Sequence, residues 1–506
     1  MINKDNWLSF IALLFRRIFN IIKFSLDYFK FKKFLKSQNN INQIKHNDSQ
    51  VICVTIIPWL GSAVPWYAIV IALMLYKNGR NVFILFDDTS FGDDALFNKV
   101  QSKLILKILI TLPLKFIKLS SYSIGVGTSS EIDHLLKLNS LHYTHGETNQ
   151  ELRQKYESIV EEQLTTAYFK IAELYKEKTF SQILVPGGIW GTSGIYTLFS
   201  KKYNVQFFSY DSDENELWMS NFGVAAQLKD IPYSFDRLLK NMQEKNFAIQ
   251  KGWEQLKKRR DGKDDTQSHF LKPSNSLEFG NDYYLMLLNS VWDTAALGLH
   301  SVYGSMIDWI FDSIEWVLKN TDKKIIIRQH PAERVKQVDN TDSYKEKIDC
   351  RFGNNKRIIF IEAKDDINTY DLIENTLCVL GFSSTSIVES VMLGKPAIIV
   401  SNTYYSNFGI VYDACDKKEY YTYLQKASKN ELKITKEMND RACVSNYITQ
   451  SCNLYKTEFT PVRNNFLKWT KLTLEELEKD YLPLQAILEN TPLSILQHEK
   501  ILNDNK

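Results

Sequence analysis

Between Lys323 and Ala414 the chain twice runs from a short apolar stretch into a burst of polar residues, a pattern that few folds accommodate. Ile325 to Ile327 is a β-branched run of the kind found in strands buried on both faces. Arg328, His330, Pro331 and Glu333 follow it directly, where such a strand would leave its sheet. Further on, Leu377 to Leu380 leads through Gly381 into Ser383, Ser384, Thr385 and Ser386. A helix carrying Glu389 comes next, Gly394 ends it, and Pro396 starts another buried strand. Strand ends of this kind are where open α/β sheets bind ligands.

The residue types suit a nucleotide's phosphate. Serine hydroxyls and the unpaired first-turn N–H groups of a helix form an anion site, because the helix dipole favours negative charge there. Arg328 and His330 add charge-assisted donors, and Glu389, one turn into the helix, is placed to accept from a ribose hydroxyl. Each piece alone is ordinary: a Ser-rich start is a cap, and His-Pro is a turn. Their order on two successive strand ends favours the phosphate-binding reading.

The run from Leu287 to Asp413 resembles the capsule polysaccharide biosynthesis family of bacterial glycosyltransferases, related to those that transfer Kdo or sialic acid. The matching pieces are LLNSVWDTA at Leu287 to Ala295, IIIRQHPAE, the INTYDLI segment at Ile367 to Ile373, GFSSTSIVESVMLGKPAIIV, and Tyr405 with Gly409 and Asp413. The resemblance implies an α/β, GT-B-like fold: two Rossmann-like domains facing a central cleft, the donor nucleotide on the C-terminal one, and commonly no metal. It implicates His330, Ser383, Ser384 and Thr385 in donor binding. With Arg328, Glu333 and Glu389 from the strand ends, Asn289 and Asp293 complete the expected donor set, since the loop after a strand at Tyr283 to Leu288 puts them on the cleft side.

A chain of 506 residues is too long for one ordinary core, so two domains with extensions are expected. Net charge of +3 is too small to suggest nucleic acid, and with no basic face interleaved with aromatics no nucleic-acid partner is expected. Six cysteines without CxxC indicate neither a disulfide framework nor structural zinc. The positive balance sits in residues 1–36, where eight basic residues face two acidic ones. There Trp7, Phe10, Ile11, Leu14, Phe15, Ile18, Phe19, Ile22 and Leu26 keep helical spacing. The uncharged run is far shorter than the ~20 residues that cross a bilayer. Two readings stay open for this amphipathic basic helix: lying on the anionic inner face of the cytoplasmic membrane, or packing on the N-terminal domain.

Residues 37–49 read as a linker, 50–272 as an N-terminal Rossmann-like acceptor domain, 273–460 as the nucleotide-sugar domain, and 461–506 as a C-terminal helical segment. In the acceptor domain, Ile183 to Val185, the turn at Gly187 and Gly188, a helix from Gly194 and a strand from Val205 end at Asp211. Asp211 is the first candidate for the catalytic base, with Glu147 and His145, at the entrance of a long polar helix, behind it. The triplet Asp211 to Asp213 also spells a metal-binding Asp-x-Asp, so Mg or Mn is expected only if Asp211 and Asp213 act as a pair; otherwise no cofactor is expected.

The expectation is a cytoplasmic, peripheral membrane glycosyltransferase that moves a sugar from a nucleotide-sugar donor to a glycan or glycolipid acceptor. A CMP-sugar such as CMP-Kdo is favoured. Alternatives are a sugar- or polyol-phosphate transferase and a non-catalytic glycan-binding subunit.

Overall fold

A computed structural model describes residues 4–38, 50–59, 62–89, 95–123, 129–147, 150–263, 279–334 and 343–505, with backbone only for 4–16, 95–97 and 334. It separates into two compact units: Met1–Asn139, Lys155–Ala226 and Leu454–Asp504 form the first, and Ser140–Gln154 with Gln227–Asn453 form the second. Both are Rossmann-like.

The first unit contains α1 (Lys4–Ser37), β1 (Val51–Ile56), α2 (Val64–Lys77), β2 (Asn81–Phe86), α3 (Ala95–Leu109) and β3 (Lys115–Lys118). Then come α4 (Ser130–Thr144), α5 (Gln150–Lys176), β4 (Gln182–Pro186), α6 (Thr192–Lys202), β5 (Gln206–Asp213) and β6 (Glu216–Ser220). Strands β1 to β5 are parallel in the order β5-β4-β1-β2-β3. The strand order therefore reverses between β1 and β4, and a crevice is expected at their C-terminal ends. Helix α2 is apolar all round, and every residue from Pro65 to Leu75 is buried.

In the second unit, α7 (Ile231–Lys240) and α8 (Met242–Arg260) precede β7 (Tyr283–Leu287), α9 (Met306–Asn320), β8 (Lys324–Arg328), α10 (Tyr344–Phe352) and β9 (Ile358–Ile361). After these come α11 (Thr369–Asn375), β10 (Cys378–Gly381), α12 (Thr385–Met392), β11 (Ala397–Ile399), β12 (Tyr412–Asp413), α13 (Lys417–Ser428) and α14 (Lys436–Tyr447). The sheet is wholly parallel in the order β12-β11-β10-β7-β8-β9, with its reversal between β7 and β10. Ile325, Ile326 and Ile327 are fully buried on β8, between β7 and the edge strand β9, as their β-branched run demands.

The tail returns to the first unit. β13 (Tyr455–Lys456) pairs antiparallel with β6, and α15 (Arg463–Trp469), α16 (Leu474–Glu478), α17 (Leu482–Glu489) and α18 (Leu493–Asp504) follow. Phe466, Trp469 and Tyr481 enter the same core as α2, where Tyr481 and Tyr67 share a hydroxyl hydrogen bond of 2.6 Å.

Three expectations are corrected. The division falls at 226/227 and 453/454 rather than at 272/273 and 460/461, because α8 packs against α14: Asn446 donates to the Gly252 carbonyl at 3.2 Å. Pro273, and residues 39–49 of the expected linker, lie outside the described residues. His145 and Glu147 belong to the second unit, not to the acceptor domain, because Glu147 is bound to α9. Strand β5 does not end at Asp211 but runs to Asp213, where a tight turn sends it back as β6.

Candidate functional site

The loops leaving β7 and β10 flank the reversal point of the second sheet, and Asn289 joins them: its Oδ1 accepts the Ser383 N–H at 3.1 Å. Gly381 lets α12 pack close against the end of β10, since a Cβ there would meet the Ile387 side chain at 2.0 Å. Ser384 is the N-cap of α12, accepting the Ser386 N–H at 3.3 Å, and its own carbonyl is held by the Tyr405 hydroxyl at 3.0 Å. The Ser383 Oγ is buried and has no hydrogen-bond partner among the described residues. Thr385 begins the helix, and no acidic residue stands in its first turn. The positive end of α12 is thus not neutralised from within.

His330 lies just past β8 and is partly buried. Its Nδ1 accepts the Ala332 N–H at 3.3 Å, so the neutral ring carries its proton on Nε2. Burial holds its pKa below the usual imidazole value; the Asp293 carboxylate pulls the other way, and the Arg328 guanidinium lowers it further. The expected cationic donor is therefore a neutral Nε2–H. Asp293 is exposed, and its Oδ1 accepts the Ala295 N–H at 3.1 Å. Asn289, Asp293, His330, Ser383, Ser384 and Thr385 thus all stand at the C-terminal edge of one sheet.

Three other expected donor contacts are turned to different work. Arg328 is 2% exposed and gives N–H groups to the carbonyls of Glu362 and Ile367, tying the loop between β9 and α11. Glu333 is buried and accepts from Gln329 at 2.8 Å, bracing the turn after His330. Glu389 does not face a ribose: it is fully buried, with one oxygen on Arg259 at 2.5 Å and the other on the Tyr370 hydroxyl at 3.0 Å. Its helix turns that side toward α8 and α11.

Glu147 fills the N-terminus of α9. Its carboxylate accepts the Met306 N–H at 3.0 Å and the Ile307 N–H at 3.3 Å, with His300 Nε2 at 3.8 Å. That is a protein carboxylate in the place an anion would take. His145, at φ 52°, stacks on Trp292 with ring centres 4.1 Å apart, and His142 Nδ1 lies 3.0 Å from the Trp292 carbonyl. Residues 140–147 therefore buttress the loop that carries Asp293. Trp292 and Tyr405 are not among the expected site residues, although both lie in the pieces that carry the family resemblance, and that resemblance is the signal that could have found them.

In the first unit, Asp211 lies one residue beyond Tyr210, the last residue of β5 paired with β4. The Gly187 N–H donates to the Tyr210 carbonyl at 2.8 Å, and Gly188 at φ 123° completes a turn that an L side chain rarely adopts. Asp211 is partly buried, with its Oδ1 on the Ser212 N–H at 2.9 Å; Asp213 is exposed. Among the described residues, no three His, Cys, Asp or Glu side chains gather to hold a metal ion. Asp87, just past β2, is fully buried and accepts the Tyr196 hydroxyl at 3.1 Å, bracing α6.

Residues 202–448 match the family model described as capsule polysaccharide biosynthesis protein. No curated protein matches the chain. Among solved structures, it is similar to the KpsC beta Kdo 2,4 transferase of Thermosulfurimonas dismutans, at 14% identity and TM-score 0.34, over 53% of this chain and 80% of that one. It is also similar to a glycosyltransferase from Rickettsia africae, at 13% identity and TM-score 0.26, over 87% and 99% of the two chains. A third likeness is to the UDP-GlcNAc 2-epimerase of Neisseria meningitidis bound to UDP-GlcNAc, at 10% identity and TM-score 0.25, over 79% and 99%.

Proposed function

From a chain related through residues 202–448 to the capsule polysaccharide biosynthesis proteins, we propose a glycosyltransferase that moves a sugar from a nucleotide-sugar donor to a growing surface polysaccharide. One observation carries the donor assignment: the Asn289–Ser383 link across the reversal point of the second sheet, with a Ser383 Oγ that has no partner among the described residues beside an α12 start that lacks acidic residues. A phosphate placed there receives hydroxyl and N–H donors and the Nε2–H of His330. The favoured donor is a CMP-sugar such as CMP-Kdo, and the acceptor is a glycan or glycolipid of capsule or lipopolysaccharide.

Transfer needs a base for the acceptor hydroxyl and stabilisation of the departing phosphate. Asp211 is the base in this reading. Glu147 ranks below it, since its oxygens are committed to α9, and His145 is committed to Trp292. No metal takes part, because helix-end and imidazole donors meet the leaving phosphate. The protein works on the inner face of the cytoplasmic membrane, bound through residues 1–36. Among the described residues no helix is long and apolar enough to cross a membrane.

Screening CMP-, UDP- and GDP-sugars for thermal stabilisation tests the donor, since only a ligand that prefers the native state raises the melting temperature. If none of the three classes stabilises the protein, the donor site is wrong. Turnover that survives EDTA supports the metal-free reading; turnover abolished by EDTA and restored by Mn²⁺ or Mg²⁺ gives Asp211 and Asp213 the metal role instead.

A further inference from the structure

Helix α1 has two apolar faces. Its inner one is occupied: Phe24 and Phe31 lie on Trp66 with ring centres 5.1 and 4.9 Å apart, and Phe34 meets Trp469 edge-on at 5.9 Å. Asp27 is clasped there by Arg463 through two hydrogen bonds of 2.9 and 3.1 Å. The outer face holds Ile18, Phe19, Ile22, Leu26 and Phe29, exposed by 45, 64, 54, 53 and 64%. At 3.6 residues per turn these five cover an arc of about 100°, centred roughly opposite the inner set. Single exposed apolar residues are ordinary on a soluble protein, whereas a contiguous stripe marks an interaction surface.

Charge identifies what the stripe meets. Helical spacing places Lys23 and Lys30 along one edge and Lys32 on the other, while Lys33 and Lys36 prolong its line beyond Phe29. Between residues 17 and 38 the sole acidic side chain is Asp27, which is turned inward and paired with Arg463. An apolar strip framed by ammonium groups, with no outward carboxylate, matches a layer of hydrocarbon beneath anionic headgroups.

We propose that this outer face of α1 is the membrane-docking surface, with Phe19 and Phe29 entering the acyl boundary of an anionic leaflet. The proposal rests on the membrane association stated above and deepens it. Because the opposite face of the same helix is part of a core, docking fixes the first unit against the bilayer in one orientation instead of leaving it on a tether.

The test is cosedimentation of the full chain with phosphatidylcholine vesicles, with and without phosphatidylglycerol. The unaltered protein binds the anionic vesicles. Phe19→Ser/Phe29→Ser loses at least about tenfold in partitioning with an unchanged melting temperature. Lys30→Gln/Lys33→Gln loses the preference for anionic lipid and much of the salt sensitivity. Phe31→Ala, on the inner face, lowers the melting temperature. If both outer-face variants bind as the unaltered chain does, the face is misassigned. If instead the unaltered chain self-associates in sedimentation velocity and the Phe pair abolishes that, the occupant is a second copy and the proposal falls. A wild-type chain that ignores all vesicles sinks the membrane association itself. Glycosyl transfer is not read in any arm, so these failures leave the proposed activity standing.

Discussion

His330 and Ser383 separate binding from stability at the scale of single residues. His330 is held neutral by burial, and a phosphate beside the ring favours the imidazolium. Its pKa is then higher in the complex than in the free protein, so binding takes up a proton and tightens as pH falls. Calorimetry with the donor nucleotide between about pH 8 and pH 5.5 reads this directly, and His330→Asn should flatten the dependence; a profile already flat in the unaltered protein removes His330 from the site. Ser383→Ala deletes a hydroxyl without a partner among the described residues, so the fold is expected to keep its stability while nucleotide affinity falls roughly ten- to a hundredfold. Ser384→Ala is expected to weaken nucleotide binding too, but it also costs about 1 kcal/mol of stability through the lost N-cap. Asp413 is a third case: burial raises its pKa to about 6, only partly offset by the Asn407 N–H. Between the ordinary carboxylate value and about 6 the folded chain holds a proton that the unfolded chain has lost, so this group's contribution falls as pH rises through that window. Asp413→Asn should therefore raise the melting temperature above that window and lose its advantage below it.

At the scale of elements, the two helix starts of the second unit show why similar sequences do different work. α9 begins with Ser305 as N-cap and has Glu147 brought to it from far away in the chain; α12 begins with Ser384 and no acid. Ser305 and Asp308 mark a capped start at Met306, but nothing near it in the sequence announces that Glu147 also fills that helix end. Glu389 departs from its expected role for a related reason. Its position one turn into α12 fits a ribose contact, but the buried run from Ile387 to Met392 shows that this helix is covered on that side, and the carboxylate meets Arg259 of α8. Breaking a buried ion pair leaves an uncompensated charge, so Glu389→Ala should cost about 3–5 kcal/mol in denaturant unfolding. Much of that loss should return in Glu389→Leu/Arg259→Met, where both charges are gone. A Glu389→Ala protein of normal stability that has lost only nucleotide affinity would restore the ribose role.

For the whole molecule, the first unit is closed by α1 together with β13 and α15–α18, and α1 meets α15 through Phe34 on Trp469 and Asp27 on Arg463. Removing residues 1–37 strips Phe24, Phe31 and Phe34 from a core that includes Trp66 and Trp469. Phe→Ala changes alone cost about 3–5 kcal/mol each, so the truncated chain is expected to melt far lower or to be insoluble. A truncated protein that melts normally would show that α1 is an appendage. Periodicity and punctuation sufficed for the two α/β units, the strand ends at His330 and Ser383, and an apolar basic helix at the start, because strand burial and helix capping are local consequences of residue type. Tertiary structure alone decided that 140–154 and 227–260 serve the second unit, that Arg328, Glu333 and Glu389 are braces, and that α1 has an inner and an outer apolar face. A residue's partner across hundreds of positions is set by how elements pack, and a charged side chain looks the same in sequence whether it meets water, a ligand or a buried counter-charge.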